Sequence, residues 1–183
     1  MVTNHIGENY EYLLFCNNDI VLLNNVIYEM VKTFKTNPTC GTVGARLHYG
    51  DNTIQHDGIF IYLKQSDKTI ITVHKNKYNY YNFSLGTNSV IGNTAALMMV
   101  NRKVFIKQGM FDENYRHCFE DVDLNIKIKS SGIINKFFEI GLTLNIFKLY
   151  SSLFKNLTPL KSDVIETSKL SSKCLYIMVA GIT

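Results

Sequence analysis

The sequence predicts an α/β fold, and three observations carry that expectation. Tyr12-Leu13-Leu14-Phe15-Cys16 is a short continuous apolar run that stops at Asn17-Asn18-Asp19, as a buried strand of a parallel sheet does at its carboxyl edge. Val26, Ile27, Met30, Val31 and Phe34 then follow the 3.6-residue period of a helix. Beyond them, short β-rich runs alternate with turn signals. A chain of 183 residues, 46% hydrophobic and 19% charged, suffices for one core, and this balance excludes disordered, collagen-like and coiled-coil classes.

Each element has its own warrant. Asn24 or Asn25 can cap the first helix, and Asn37-Pro38 closes it because the residue before a proline is pushed out of the helical region. Gly41 to Leu47 reads as a second strand, and Tyr49-Gly50-Asp51-Asn52 as a turn leading into Ile54. Gly58 to Leu63 and Thr69 to His74, separated by Lys64-Gln65-Ser66-Asp67-Lys68, predict a hairpin. The polar and aromatic stretch between Asn76 and Asn88 has no period and reads as a loop. Ala95 to Val100 is another apolar run, and Arg102 to Gln108 a short helix stopped by Gly109. Val122 to Lys129 alternates as a strand would, but acids at its start, lysines at its end and Gly132 beyond match a helix, which is the expectation adopted. After Ile134 the apolar residues are dense and no motif emerges.

Charge and cysteine usage narrow the function classes. A net charge of +4, from 19 basic and 15 acidic residues, is not clustered enough to mark a nucleic-acid binder. Cys16, Cys40, Cys118 and Cys174 form no CxxC pair, so neither a structural metal site nor a disulfide scaffold is expected. The first residues lack the pattern of a signal peptide, and Cys174 to Ile182 is about half the ~20 residues of a membrane helix. The expectation is a cytoplasmic protein, soluble or in peripheral contact with the inner face of the membrane.

Four segments can carry chemistry. Asp19, closing a buried strand beside the amides of Asn17 and Asn18, can hold a hard cation, or the triplet can simply form a turn. Glu120, Asp121 and Asp123 can serve as general base or metal ligand, or can complement the dipole of the helix they open. Gly92-Asn93 precedes an apolar run and can let a ligand approach the backbone, or can make a tight turn. His56 is a ligand-binding candidate or an ordinary loop histidine.

Taken together, YLLFCNND at 12–19, GARLHYGDNTIQHDG at 44–58, GNTAALMMVNRKVF at 92–105 and GMFDENYRHCFEDVDLNIKIKSSG at 109–132 resemble, in order and spacing, the family 2 glycosyltransferases, particularly bacterial rhamnosyltransferase-like members. The resemblance covers about residues 10–134. It implies a GT-A fold with a mixed, mostly parallel sheet and flanking helices, a nucleotide-diphosphate sugar donor, Mg2+ or Mn2+, and inversion at the anomeric carbon. On the matched positions it implies that Asp19 binds the metal, that Asn17 and Asn18 belong to the DXD-type motif with Asn17 in place of the usual first acid, and that Asp121, or else Glu120, is the catalytic base. Gly92 and Asn93 fall where relatives line the sugar and acceptor pocket. His56 matches a recurrent histidine of no assigned role.

The resemblance also implies missing pieces. Relatives place further strands before the one at Tyr12, so the sheet is expected to lack its amino-terminal strands and to leave one edge of that strand unpaired. No histidine follows the acidic motif, where relatives usually have one completing the metal site. Residues 1–134 are thus expected to be a partial GT-A domain and 135–183 a divergent tail, from a frameshift or gene fragment. The implied function is transfer of a sugar to a saccharide or lipid-linked acceptor in surface polysaccharide synthesis. The alternative is an inactive fragment or binding module, associating with a partner through the open sheet edge.

Overall fold

The structure, a computed structural model, describes residues 10–79, 87–115, 118–145, 166–170 and 174–179. The apolar run opens the fold as β1 (Tyr12–Asn17), followed by the short β2 (Ile20–Leu22) and helix α1 (Val26–Thr36). Next come β3 (Cys40–Tyr49), β4 (Ile54–His56), β5 (Ile59–Leu63) and β6 (Ile70–His74). Strands β7 (Thr87–Val90) and β8 (Leu97–Asn101) precede helices α2 (Arg102–Lys107) and α3 (Glu120–Ser130). Strands β9 (Ile134–Asn145), β10 (Glu166–Leu170) and β11 (Cys174–Val179) complete the order. The expected loop at 76–88 lies in part outside the described residues, and its last two positions belong to β7.

The main sheet runs β10-β11-β1-β8-β3-β9-β2, with β4 on β3 and β7 on β9, while β5 and β6 form a separate hairpin. Two expectations are corrected here. The sheet is mixed but mostly antiparallel: among the described pairings only β3 with β9 is parallel. A parallel pair needs a long crossover, usually helical, and among the described residues helices are few and several connections are direct turns, as at β3–β4 and β5–β6. The second correction concerns the edge of β1, which is not open. β11 pairs with it antiparallel from Tyr12↔Val179 to Asn17↔Cys174, supplying partners that buried backbone N–H and C=O groups require. The expected division at 134/135 falls within β9, whose residues pair with β3 from Cys40↔Ile134 to Tyr49↔Asn145.

Alternation on β1 and β8 builds a three-layer core. Tyr12, Leu14 and Cys16 face one way with Val43, Ala45, Leu47, Leu97 and Met99, covered by Val26, Met30, Val31 and Phe34 of α1. Leu13 and Phe15 face the other way with Met98 and Val100, under Phe105 of α2 and Leu124 and Ile128 of α3. Tyr12 stacks on Phe34 with centroids 4.6 Å apart, and Phe15 sits 5.3 Å from Phe105. Because β1 is sandwiched on both faces, its sequence carries no alternation to read. Burial of Leu124 and Ile128 with exposure of Ile126 bears out the helix at Glu120 over the strand that its alternation allowed. Among the described residues no helix is long and apolar enough to cross a membrane.

Candidate functional site

β1 and β8 are antiparallel, so the carboxyl end of β1 lies beside the residues that lead into β8: the Asn17 N–H donates to the Ala96 carbonyl at 2.9 Å. A cleft of about 430 Å³ opens there. Its walls are Asn17 from β1, Thr94, Ala95 and Ala96 from the segment leading into β8, Cys118 to Val122 from the start of α3, and Ile59, Thr72, Val73 and His74 from the β5–β6 hairpin.

Asp121 is fixed at the base of this cleft. Its Oδ2 accepts the Ala95 N–H at 2.9 Å and its Oδ1 accepts the Val122 N–H at 2.8 Å. Two backbone donors hold the carboxylate plane, and each oxygen keeps a further lone pair for a ligand. Glu120 also lines the cleft, and its Oε2 is buried without a hydrogen-bond partner. The turn that aims both acids is set by Phe119, which takes a left-handed conformation (φ 76°) immediately before the helix.

Of the remaining sequence candidates, Asn17 lines the cleft, whereas Asn18, Asp19, Gly92, Asn93 and His56 are not among its lining residues. Asn18 is exposed in the β1–β2 turn. Asp19, half-buried in the same turn, has an Oδ1 that is buried with no partner. Such an orphaned carboxylate oxygen suits a divalent cation, which for Mg2+ usually takes one or two carboxylates and leaves its other positions to water and phosphate. Asp19 therefore fits a metal in kind, although among the described residues no three His, Cys, Asp or Glu side chains converge.

Gly92 and Asn93 lie behind the cleft wall, both buried. The space a Gly92 side chain would fill is taken by Asn125, whose Cβ would stand 2.7 Å from it. Asn93 belongs to a fully buried amide network. Asn93 Nδ2 donates to Thr42 Oγ1 (3.0 Å) and the Lys136 carbonyl (2.9 Å), and Thr42 Oγ1 donates to Asn125 Oδ1 (3.0 Å). Asn125 Nδ2 in turn donates to the carbonyls of Asn93 (2.9 Å) and Asp121 (2.7 Å), and Asn135 Nδ2 donates to those of Ile91 and Asn125. This network locks α3 to β3 and β9, and so positions Asp121.

His56 is 1% exposed, beneath the cleft and not on its surface. Its Nδ1 lies 2.7 Å from Nδ1 of His74, and its Nε2 accepts the Thr94 N–H at 3.3 Å. Burial first, and the neighbouring His74 second, hold its pKa well below the ordinary 6.5. Close by, Asp57 forms a buried ion pair with Arg46, Nη2 to Oδ1 at 2.9 Å, and accepts from Asn76 Nδ2 at 2.6 Å. Gly58, at φ 95°, makes the turn from β4 into β5 that brings the hairpin over the cleft. His74 escaped sequence reading; the only signal was its place at the end of an alternating run, opposite the cleft-lining Ile59 in the hairpin register.

No family profile matches the chain. It is 25% identical over 132 residues to the O-antigen biosynthesis protein RfbC of Myxococcus xanthus, covering 67% of this chain and 10% of that protein. It is 29% identical over 128 residues to the uncharacterized protein y4gI of Sinorhizobium fredii, covering 68% of this chain and 14% of that one. Among solved structures, GalNAc-T7 crystallised with UDP, GalNAc and Mn2+ superposes with a TM-score of 0.54 at 14% identity, over 76% of this chain and 28% of that one. The fold is glycosyltransferase-like. The chain spans only a small fraction of the length of each of these relatives.

Proposed function

We propose that this chain is a family 2-type glycosyltransferase domain that moves a sugar from a nucleotide diphosphate to a hydroxyl of a saccharide or lipid-linked acceptor, with inversion, in surface polysaccharide synthesis. The observation that carries the reading is the pinned Asp121 carboxylate, open to a cleft that Asn17 also lines. Asp121 takes the proton of the attacking acceptor hydroxyl, and Glu120 stands beside it as the second carboxylate. Backbone bonds from Ala95 and Val122 keep the base oriented without consuming its capacity to accept. Asp19 would hold Mg2+ or Mn2+, which would supply positive charge for the donor diphosphate. Asn17 and Asn18 contribute amide hydrogen bonds to the donor. Gly92 and Asn93 act from behind, by holding the wall that donor and acceptor meet.

Asp121→Asn keeps the shape and one of the two backbone bonds, which its amide oxygen still accepts, and removes the base. Transfer is expected to fall by about 10²- to 10⁴-fold while nucleotide-sugar binding persists. Radiolabelled sugar transfer and calorimetric titration of UDP- and dTDP-sugars with Mn2+ check this. Undiminished turnover removes Asp121 from the role. A folded chain without metal-dependent nucleotide binding supports the binding-module alternative.

A further inference from the structure

The two histidines form a directional hydrogen-bond relay that ends in the cleft. The Thr94 N–H can only donate, so His56 Nε2, which receives it at 3.3 Å, carries a lone pair. A neutral His56 then bears its proton on Nδ1 and donates it to His74 Nδ1, 2.7 Å away. His74 Nδ1 is thereby the acceptor, and the proton of the neutral His74 ring sits on Nε2, the nitrogen that His56 does not engage. The opposite order would put a proton on His56 Nε2, facing the Thr94 N–H. The rings cross at 83°, with Phe137 packed edge-on against His56, which fixes the buried ring. His74 lines the same cleft as Asp121, whose charge acts on its imidazole.

We propose that His74 presents a neutral Nε2–H to the cleft and, with the Asp121 carboxylate, forms a donor and acceptor pair that binds a hydroxyl of a neutral saccharide. A hydroxyl both donates and accepts, so it satisfies a carboxylate and an imidazole N–H together, whereas a phosphate oxygen beside Asp121 would meet like charge. Among the described residues no Lys or Arg lines this cleft. The assignment rests on the glycosyltransferase reading and makes His74 its saccharide-recognition residue, with His56 and the Thr94 N–H as positioning groups.

The test uses the full chain labelled with ¹⁵N-histidine. At neutral pH, long-range ¹H–¹⁵N correlation is expected to show His56 protonated on Nδ1 and His74 on Nε2. Titration with methyl rhamnoside, methyl glucoside and methyl galactoside should move the His74 Nε2 resonance, and inorganic phosphate should not. His74→Ala should weaken binding of the responding glycoside about three- to tenfold and leave UDP affinity unchanged. His74→Gln, which retains an N–H donor, should recover part of the loss. The reverse tautomer, glycoside binding unaffected in both variants, or no glycoside binding overturns the proposal. If His74→Ala weakens glycoside binding but Asp121→Asn leaves turnover intact, the saccharide contact stands and the assigned base falls.

Discussion

His56 and Asp57 are adjacent, and opposite environments give them opposite work. Arg46 and Asn76 meet both oxygens of the buried Asp57, so truncating it leaves a buried guanidinium with a lost partner; Asp57→Ala should cost about 3–5 kcal/mol in denaturant unfolding. His56 is buried as a neutral ring, its pKa depressed first by burial and then by His74. His74 shifts the same way, from burial and then Lys77, with Asp121 opposing. The unfolded chain takes up protons near pH 6.5 and the folded chain does not, so stability is complete above that pH and is lost as pH falls through it. Melting temperature followed from pH 7.5 to 5 should drop below about pH 6.5, and His56→Gln should flatten that slope. A melting temperature that holds steady across this range would remove the buried neutral pair. Asp19, Glu120 and Asp121 stood out in the sequence as candidates because they close a strand and open a helix. His74 was not, because its partner is eighteen residues away and only the hairpin register brings them together.

At the scale of elements, α3 shows what a local pattern can and cannot decide. Val122, Leu124, Ile126 and Ile128 satisfied a strand period, yet the charge gradient and Gly132, at φ 82°, identified the helix. Its entry was not readable. Phe119 is half-exposed at φ 76°, a conformation that costs a side-chain-bearing residue about 1–2 kcal/mol and that glycine adopts freely. Phe119→Gly should therefore raise unfolding stability by up to about 1 kcal/mol while thinning the cleft wall, a pairing of gains and losses that melting and ligand titration would separate. A destabilised Phe119→Gly would mean the ring's packing outweighs its backbone strain. Strand β9 was missed for the reverse reason: FFEIGLTLN is apolar at too many positions for any period to stand out, and partners on both edges, β3 against β7 and β2, are what make it a strand.

Across the whole molecule, the sequence carried the class and the layering but not the direction of the strands. Apolar runs report burial, and burial of β1 on both faces is common to parallel and antiparallel centres; only the connections distinguish them. The late strand β11 against β1 had no local signature beyond a short apolar run. The amide network joins these scales, since Asn125 alone ties α3, the wall behind the cleft and β3 together. Asn125→Ala should lower stability by about 2–4 kcal/mol and also impair transfer, because Asp121 loses its footing; chemical denaturation and activity measured on the same sample check both. Stability lost with activity kept would place the base elsewhere. The parallel pair at the centre has a consequence in time. Cys40 meets Ile134, more than ninety residues downstream. At the ribosome's roughly 5–20 residues per second, β3 waits on the order of 5–20 s for the strand that covers its second edge. During synthesis the nascent chain therefore displays an unpaired apolar strand, a natural target for holdase chaperones and a point where crowded expression would divert it into aggregates.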